Sequence, residues 1–151
     1  PTPTTTPAPA VRYASDTAYR VVRNGWGPVE KDRSNGELAA GDGRTLTVGG
    51  QTFAKGFGVH APSEIVVPVG GASTFTVSVG IDAEVRTGGS MAFQVWSGSV
   101  KLADSGVVRG GQAPVTLTVD VAGRGEIRLV ATDGGNGVAA DHGDWGGARL
   151  S

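Results

Sequence analysis

Thr74-Phe75-Thr76-Val77-Ser78-Val79-Gly80-Ile81-Asp82 is the stretch from which the fold can be read. Successive side chains of an extended chain point to opposite sides, so Phe75, Val77, Val79 and Ile81 share one face and Thr76, Ser78 and Gly80 the other. This alternation predicts a strand buried on one face, as in an antiparallel sheet. The same period recurs in Thr45 to Val48, Glu64 to Val69, Ser90 to Trp96, Val115 to Val121 and Ile127 to Thr132. Val115, Leu117, Val119 and Val121 fall together, as do Ile127, Leu129 and Ala131, so several strands can close on one apolar interior. Glycine pairs at 49–50, 70–71, 88–89 and 110–111 punctuate the runs and supply turns. The pattern predicts an all-β fold, an antiparallel β-sandwich of the jelly-roll kind. No repeat of fixed period is visible, which argues against a propeller or solenoid.

The 151 residues fit one domain with room for a real core. The 26 glycines, the recurrent Val and Thr and the single Met suit strands and tight turns better than helices. Lys plus Arg number 13 against 14 for Asp plus Glu, so no net field draws nucleic acid or an anionic membrane. The absence of Cys removes disulfides, thiol nucleophiles and cysteine zinc sites. No apolar run is long enough for a membrane-spanning helix, and export would require a signal upstream of residue 1.

Pro1 to Ala10 read Pro-Thr-Pro-Thr-Thr-Thr-Pro-Ala-Pro-Ala, a composition that stays extended because it has little to bury. Residues 1–14 are read as a linker and 15–151 as the folded module, the arrangement of secreted multidomain proteins.

Two loops, Asn24 to Arg44 and Asp133 to Gly147, are long and hold two of the three Trp residues and many acids; function concentrates on such loops. Trp26, between glycines, can plug the sandwich or stack on the apolar C–H face of a pyranose, with Glu30 nearby to take hydroxyls. Asp141-His142-Gly143-Asp144-Trp145 gathers two carboxylates, an imidazole and an indole. Such a set can ligate a metal, perform acid–base chemistry or grip a polyhydroxylated ligand. Trp145 can equally fill the sandwich edge, and Asp141 and Asp144 can cap turns. A zinc site would need His60 and His142 plus carboxylates, since there are no other histidines. Asp32 to Gly43 offers oxygen donors for a structural Ca²⁺, Asp32 and Asn35 being the candidate ligands, although turn formation uses them as well. Gly56-Phe57-Gly58-Val59-His60-Ala61 formally fits the dinucleotide fingerprint, but the β-branched run and Pro68 that follow cannot form the helix that motif needs. A glycine-supported turn is the simpler reading. Trp96 falls out of phase with Met91, Phe93 and Val95, which makes it a packing contact or an exposed binding aromatic.

The order of these blocks resembles the NPCBM domain, the "novel putative carbohydrate-binding module" grouped with carbohydrate-binding module family 51. It is carried by 24–28 (Asn-Gly-Trp-Gly-Pro), 32–37, 55–61 (Lys-Gly-Phe-Gly-Val-His-Ala), 79–82, 93–96 and 141–145. The resemblance implies a discoidin-like β-sandwich appended to secreted bacterial glycoside hydrolases, α-galactosidase-like enzymes among them. It also implies a non-catalytic, monomeric module that binds galactose or galactose-containing glycans and targets a tethered catalytic domain. The residues expected to carry binding are Trp26, Glu30, His60, Asp141, His142, Asp144 and Trp145. Similarity to calcium-containing discoidin-like sandwiches adds weight to Ca²⁺ without locating it. Gly143 departs from the Ala more usual in the family, and Ser97-Gly98-Ser99 from an Asp-Gly turn. The rival expectations are a small hydrolase using Asp141 or Asp144 with His142, and a module that docks on its parent enzyme without touching sugar.

Overall fold

A computed structural model describes residues 11–25, 27–34, 43–83, 89–134 and 142–151. The elements in chain order are β1 (Arg12–Tyr13), a 3-10 turn (Ala14–Asp16), β2 (Arg20–Arg23), β3 (Glu30–Lys31), β4 (Leu46–Val48), β5 (Gln51–Phe53) and β6 (Gly56–His60). They continue through β7 (Ser63–Pro68), β8 (Thr74–Ile81), β9 (Ser90–Ser97), β10 (Val100–Arg109), β11 (Val115–Asp120), β12 (Glu126–Thr132) and β13 (His142–Leu150). Two antiparallel sheets form, one ordered β11-β8-β13-β6-β3 with β1 also on β13, the other β10-β9-β12-β7-β2. A β4–β5 hairpin stands apart from both. The β-sandwich expected from the alternation is thus present, and all six runs read from period two are strands.

The interior is the apolar face of each run. Phe75, Val77, Val79 and Ile81 of β8 meet Met91, Phe93 and Val95 of β9 and Ile127, Leu129 and Ala131 of β12 in one buried cluster. Each such side chain stabilises by roughly 1.5–3 kcal/mol when fully buried.

Three expectations are corrected. The segment around Gly56, read as a turn, is the strand β6, buried along its length. The stretch Asp133 to Gly147, read as loop, ends in β13, which pairs with β6 and β8 in the middle of its sheet. The chain enters that sheet inside the stretch 1–14 read as linker: Arg12 pairs with Leu150 and Tyr13 with Arg149.

The glycines of β6, β8 and β13 explain both misread strands. A Cβ on Gly80 would lie 2.3 Å from Val48 Cγ1, one on Gly56 2.9 Å from Leu46 Cδ1, and one on Gly146 2.6 Å from the Phe53 ring. These positions floor a seat for the β4–β5 hairpin, whose Leu46 and Val48 are fully buried although they lie outside the inter-sheet core. Glycine is used here because the hairpin approaches the sheet too closely for any side chain.

Candidate functional site

Side-chain alternation along β13 sorts the second loop motif into two groups. Gly143 and Trp145 face the other sheet. Trp145 is 0% exposed, with its ring edge-on to Phe93 at 5.1 Å, and a Cβ on Gly143 would come within 2.7 Å of Met91 Sδ and Phe93 Cζ. Trp145 is therefore a core residue and cannot stack on a sugar, which corrects that expectation. The room that an Ala methyl at 143 would need is taken by Met91 and Phe93.

His142 and Asp144 face outward. In register across the sheet, His142 pairs with His60. One rung further, Asp144 lies between Gly58 and Gly80, with Glu30 beyond Gly58. Asp82 donates its backbone N–H to the His142 carbonyl at 2.9 Å, which adds a third acid at the end of β8. Four strands thus bring Glu30, His60, His142, Asp144 and Asp82 to one region of the outer face. Glu30 is 4% exposed, Asp82 3% and Asp144 0%. Asp144 is therefore not the exposed surface ligand that was expected.

The two imidazoles meet edge to face, centroids 4.8 Å apart at 88°. His60 Nδ1 lies 2.7 Å from the Ala61 carbonyl oxygen. A carbonyl can only accept, so Nδ1 carries the proton and Nε2 of the neutral ring is an acceptor. Burial holds the His60 pKa below its ordinary value of 6.5, the Ala61 hydrogen bond opposes that, and the neighbouring His142 adds to the lowering. The ring is kept neutral by its surroundings.

Asn24 and Gly25 are pinned beside His60. Asn24 Oδ1 accepts the His60 N–H at 3.0 Å, Asn24 Nδ2 donates to the Gly27 carbonyl at 3.0 Å, and the Gly25 N–H donates to the His60 carbonyl at 3.0 Å. A Cβ on Gly25 would lie 2.1 Å from the Ala61 oxygen, so only glycine allows this approach. Trp26 and Asp141 lie outside the described residues; their chain neighbours on both strands of approach, Gly25 and His142, both belong to the His60 surroundings. Sequence reasoning missed Asn24 and Asp82 as builders of this site. Both were visible in its motif blocks, and strand alternation alone puts Asp82 on the face of Gly80.

The second candidate cluster has another role. Asp32, at φ 60, accepts from Ser15 Oγ at 2.6 Å and from the Gly56 N–H at 2.9 Å through Oδ1. Its Oδ2 accepts from Lys55 Nζ at 2.8 Å. Lys55 also reaches Asp16 at 2.7 Å. Burial pushes the Asp32 carboxyl up, but the hydrogen bonds from Lys55, Ser15 and Gly56 outweigh it, leaving the pKa below the usual range. Asp32 does not fit as a Ca²⁺ ligand: both oxygens are committed, and an ammonium occupies the position a hard cation would need. Asn35 lies outside the described residues. No group of three or more His, Asp or Glu able to hold a metal occurs among the described residues. Trp96, on the outer face of the other sheet, donates Nε1–H to Gln94 at 2.9 Å and carries the Arg128 guanidinium 5.6 Å over its ring, which makes it a surface packing residue.

The sequence profile of the NPCBM/NEW2 domain matches residues 10–151. The chain belongs to the NPCBM/NEW2 family. It is 43% identical over 97% of its length to a putative endo-alpha-N-acetylgalactosaminidase of Renibacterium salmoninarum. It is 36% identical over 66% of its length to the alpha-1,3-galactosidase B of Akkermansia muciniphila. It spans 10% of the first protein and 13% of the second. Among solved structures, a CBM51 module from a Clostridium perfringens GH95 protein, in complex with methyl-galactose, superposes with a TM-score of 0.83 at 33% identity. That match covers 94% of this chain and all of the other. A CBM51 domain of ZmpB from the same organism, in complex with GlcNAc, matches at 0.84 and 32% over 93% of this chain and 31% of that one. The NPCBM/NEW2 chain is thus a carbohydrate-binding module, non-catalytic, of a kind attached to glycoside hydrolases.

Proposed function

We propose that this module binds a galactose-type pyranose on the outer face of the β6–β13 pair and so targets an attached, secreted glycoside hydrolase to its glycan. The observation that carries the reading is the cross-strand pair His60–His142, backed by buried carboxylates and flanked by the pinned Asn24 and Gly25. Sugar hydroxyls each donate and accept. A neutral His60 supplies an acceptor at Nε2, His142 a second imidazole, and Asp141 a further acceptor, while Trp26 stacks on the C–H face of the ring.

The methyl-galactose complex of the Clostridium perfringens module supports galactose, and the GlcNAc complex of the ZmpB domain supports N-acetylglucosamine as the alternative. One shallow site of this kind binds weakly by itself, and tethering to the catalytic domain raises the effective concentration on a polyvalent surface. Calorimetric titration with methyl galactoside, GlcNAc, glucose and mannose tests the proposal. Binding of methyl galactoside ahead of the rest, lost in Trp26→Ala and His142→Ala, is the expected result. Failure of all four sugars overturns it.

A further inference from the structure

Beside the histidine pair, past Asp82, two clefts run together. The smaller, about 220 Å³, is lined by Arg44, Thr45, Thr47, Asp82 and Ala83. The larger, about 440 Å³, is lined by Asp32, Arg33, Gly43, Arg44 and Thr45. Arg44 and Thr45 belong to both, so the two clefts form one depression reaching from the edge of the His142 rung towards Arg33. Its strands are fixed. Thr47 N–H donates to Asp82 Oδ2 at 3.3 Å, the Ser34 N–H donates to the Arg44 carbonyl at 2.7 Å, and Ser34 Oγ accepts the Arg44 N–H at 2.9 Å.

The described lining of the larger cleft carries two guanidinium groups, Arg33 and Arg44, and one carboxylate, Asp32. Asp32 is neutralised by Lys55 at 2.8 Å, and Asp82 is buried and turned onto the Thr47 N–H. Arg44 is exposed and takes part in none of the ion pairs among the described residues. Its carbonyl and N–H are anchored while its guanidinium remains at the cleft. A planar guanidinium offers paired N–H donors to the parallel oxygens of a carboxylate or a sulfate ester, a geometry that a neutral sugar hydroxyl does not use.

We infer that the Arg44 cleft is a second subsite, which takes the anionic substituent, sulfate ester or carboxylate, of a glycan whose neutral pyranose sits over His60 and His142. This rests on the function proposed above. The anion lies in the larger cleft, between Arg44 and Arg33, and the neutral part of the glycan passes over Asp82.

Titration of the chain at low and moderate salt with three probes tests the inference: methyl galactoside, a sulfated galactoside and a sialylated galactoside. The expected result is that at least one anionic probe binds about five-fold or more tighter than methyl galactoside at low salt. The advantage should shrink as salt rises and vanish in Arg44→Gln, which leaves methyl galactoside binding unchanged. The sulfated and sialylated arms separate the two sources of the anion. Equal binding of all three probes overturns the inference while the galactose site stands. An anionic advantage that survives Arg44→Gln overturns it as well. Binding of an anionic probe that depends on Arg44, with no binding of methyl galactoside, upholds the cleft and overturns the galactose site. No binding of any probe overturns both.

Discussion

At the residue scale, His60 joins stability to the proposed recognition. Its Nδ1 proton is committed to Ala61 O, and burial keeps the ring neutral. Because its pKa in the folded state lies below the ordinary 6.5, the unfolded chain takes up the proton first as pH falls. Stability from this group is therefore full above about pH 6.5 and drains away as pH falls from there to the folded-state value. Thermal unfolding at pH 7.5, 6.5 and 5.5 should show a progressive loss that is flatter in His60→Asn. A pH dependence as steep in His60→Asn as in the native chain would contradict the burial argument. Asp32 acts with the same sign in a more acidic range. Its lowered pKa stabilises the fold above the ordinary carboxylate range, and that contribution is lost as pH falls through the folded-state value. Asp32→Asn keeps the shape and tolerates the positive φ, but removes the charge facing Lys55. It should lose about 1–2 kcal/mol, measured by urea unfolding at pH 7, and Ca²⁺ should not alter the native midpoint.

At the scale of the element, the β4–β5 hairpin and the strands under it depend on each other. Gly80→Ala puts a methyl where Val48 Cγ1 now sits, and should cost about 1–3 kcal/mol. Val48→Ala introduced with it should return part of that loss, a coupling that a double-mutant cycle reads directly. Additive losses would mean that the hairpin does not bear on Gly80. The same packing explains which strands the sequence reveals. β11, β12 and β8 as far as Ser78 show alternation because one face meets the core and the other meets water. β6 and β13 do not: each carries a face that glycines clear for the hairpin, so Gly56-Phe57-Gly58 and Gly146-Gly147 read as turns. Period two is a signal of half-burial, and it fades where both faces are covered.

For the whole molecule, the sandwich separates what the motif at 141–145 joins. Alternation sends Trp145 into the core and His142 to the outer face, a division invisible until the segment is known to be a strand. The family blocks at 24–28, 55–61 and 141–145 and the strand pairing of β6 with β13 converge on one region. The blocks could not tell a residue that seals the interior from one that meets a ligand. Trp145→Ala should therefore cost about 3–5 kcal/mol, seen as a large drop in the thermal midpoint. If Trp145 instead served the ligand, the variant would stay folded and lose only its sugar. The site itself was assembled from β3, β6, β8 and β13, and long-range pairing of this kind leaves no local trace in sequence.

The central claim is that sugar is recognised at the histidine rung of the β6–β13 face. Labelling the two histidine rings and following their NMR signals during titration with methyl galactoside addresses it most directly. The account predicts that both rings shift in a saturable manner on one binding curve, while Trp96 on the opposite sheet does not move. Saturable binding that leaves both imidazoles untouched, or that moves Trp96 instead, would contradict it.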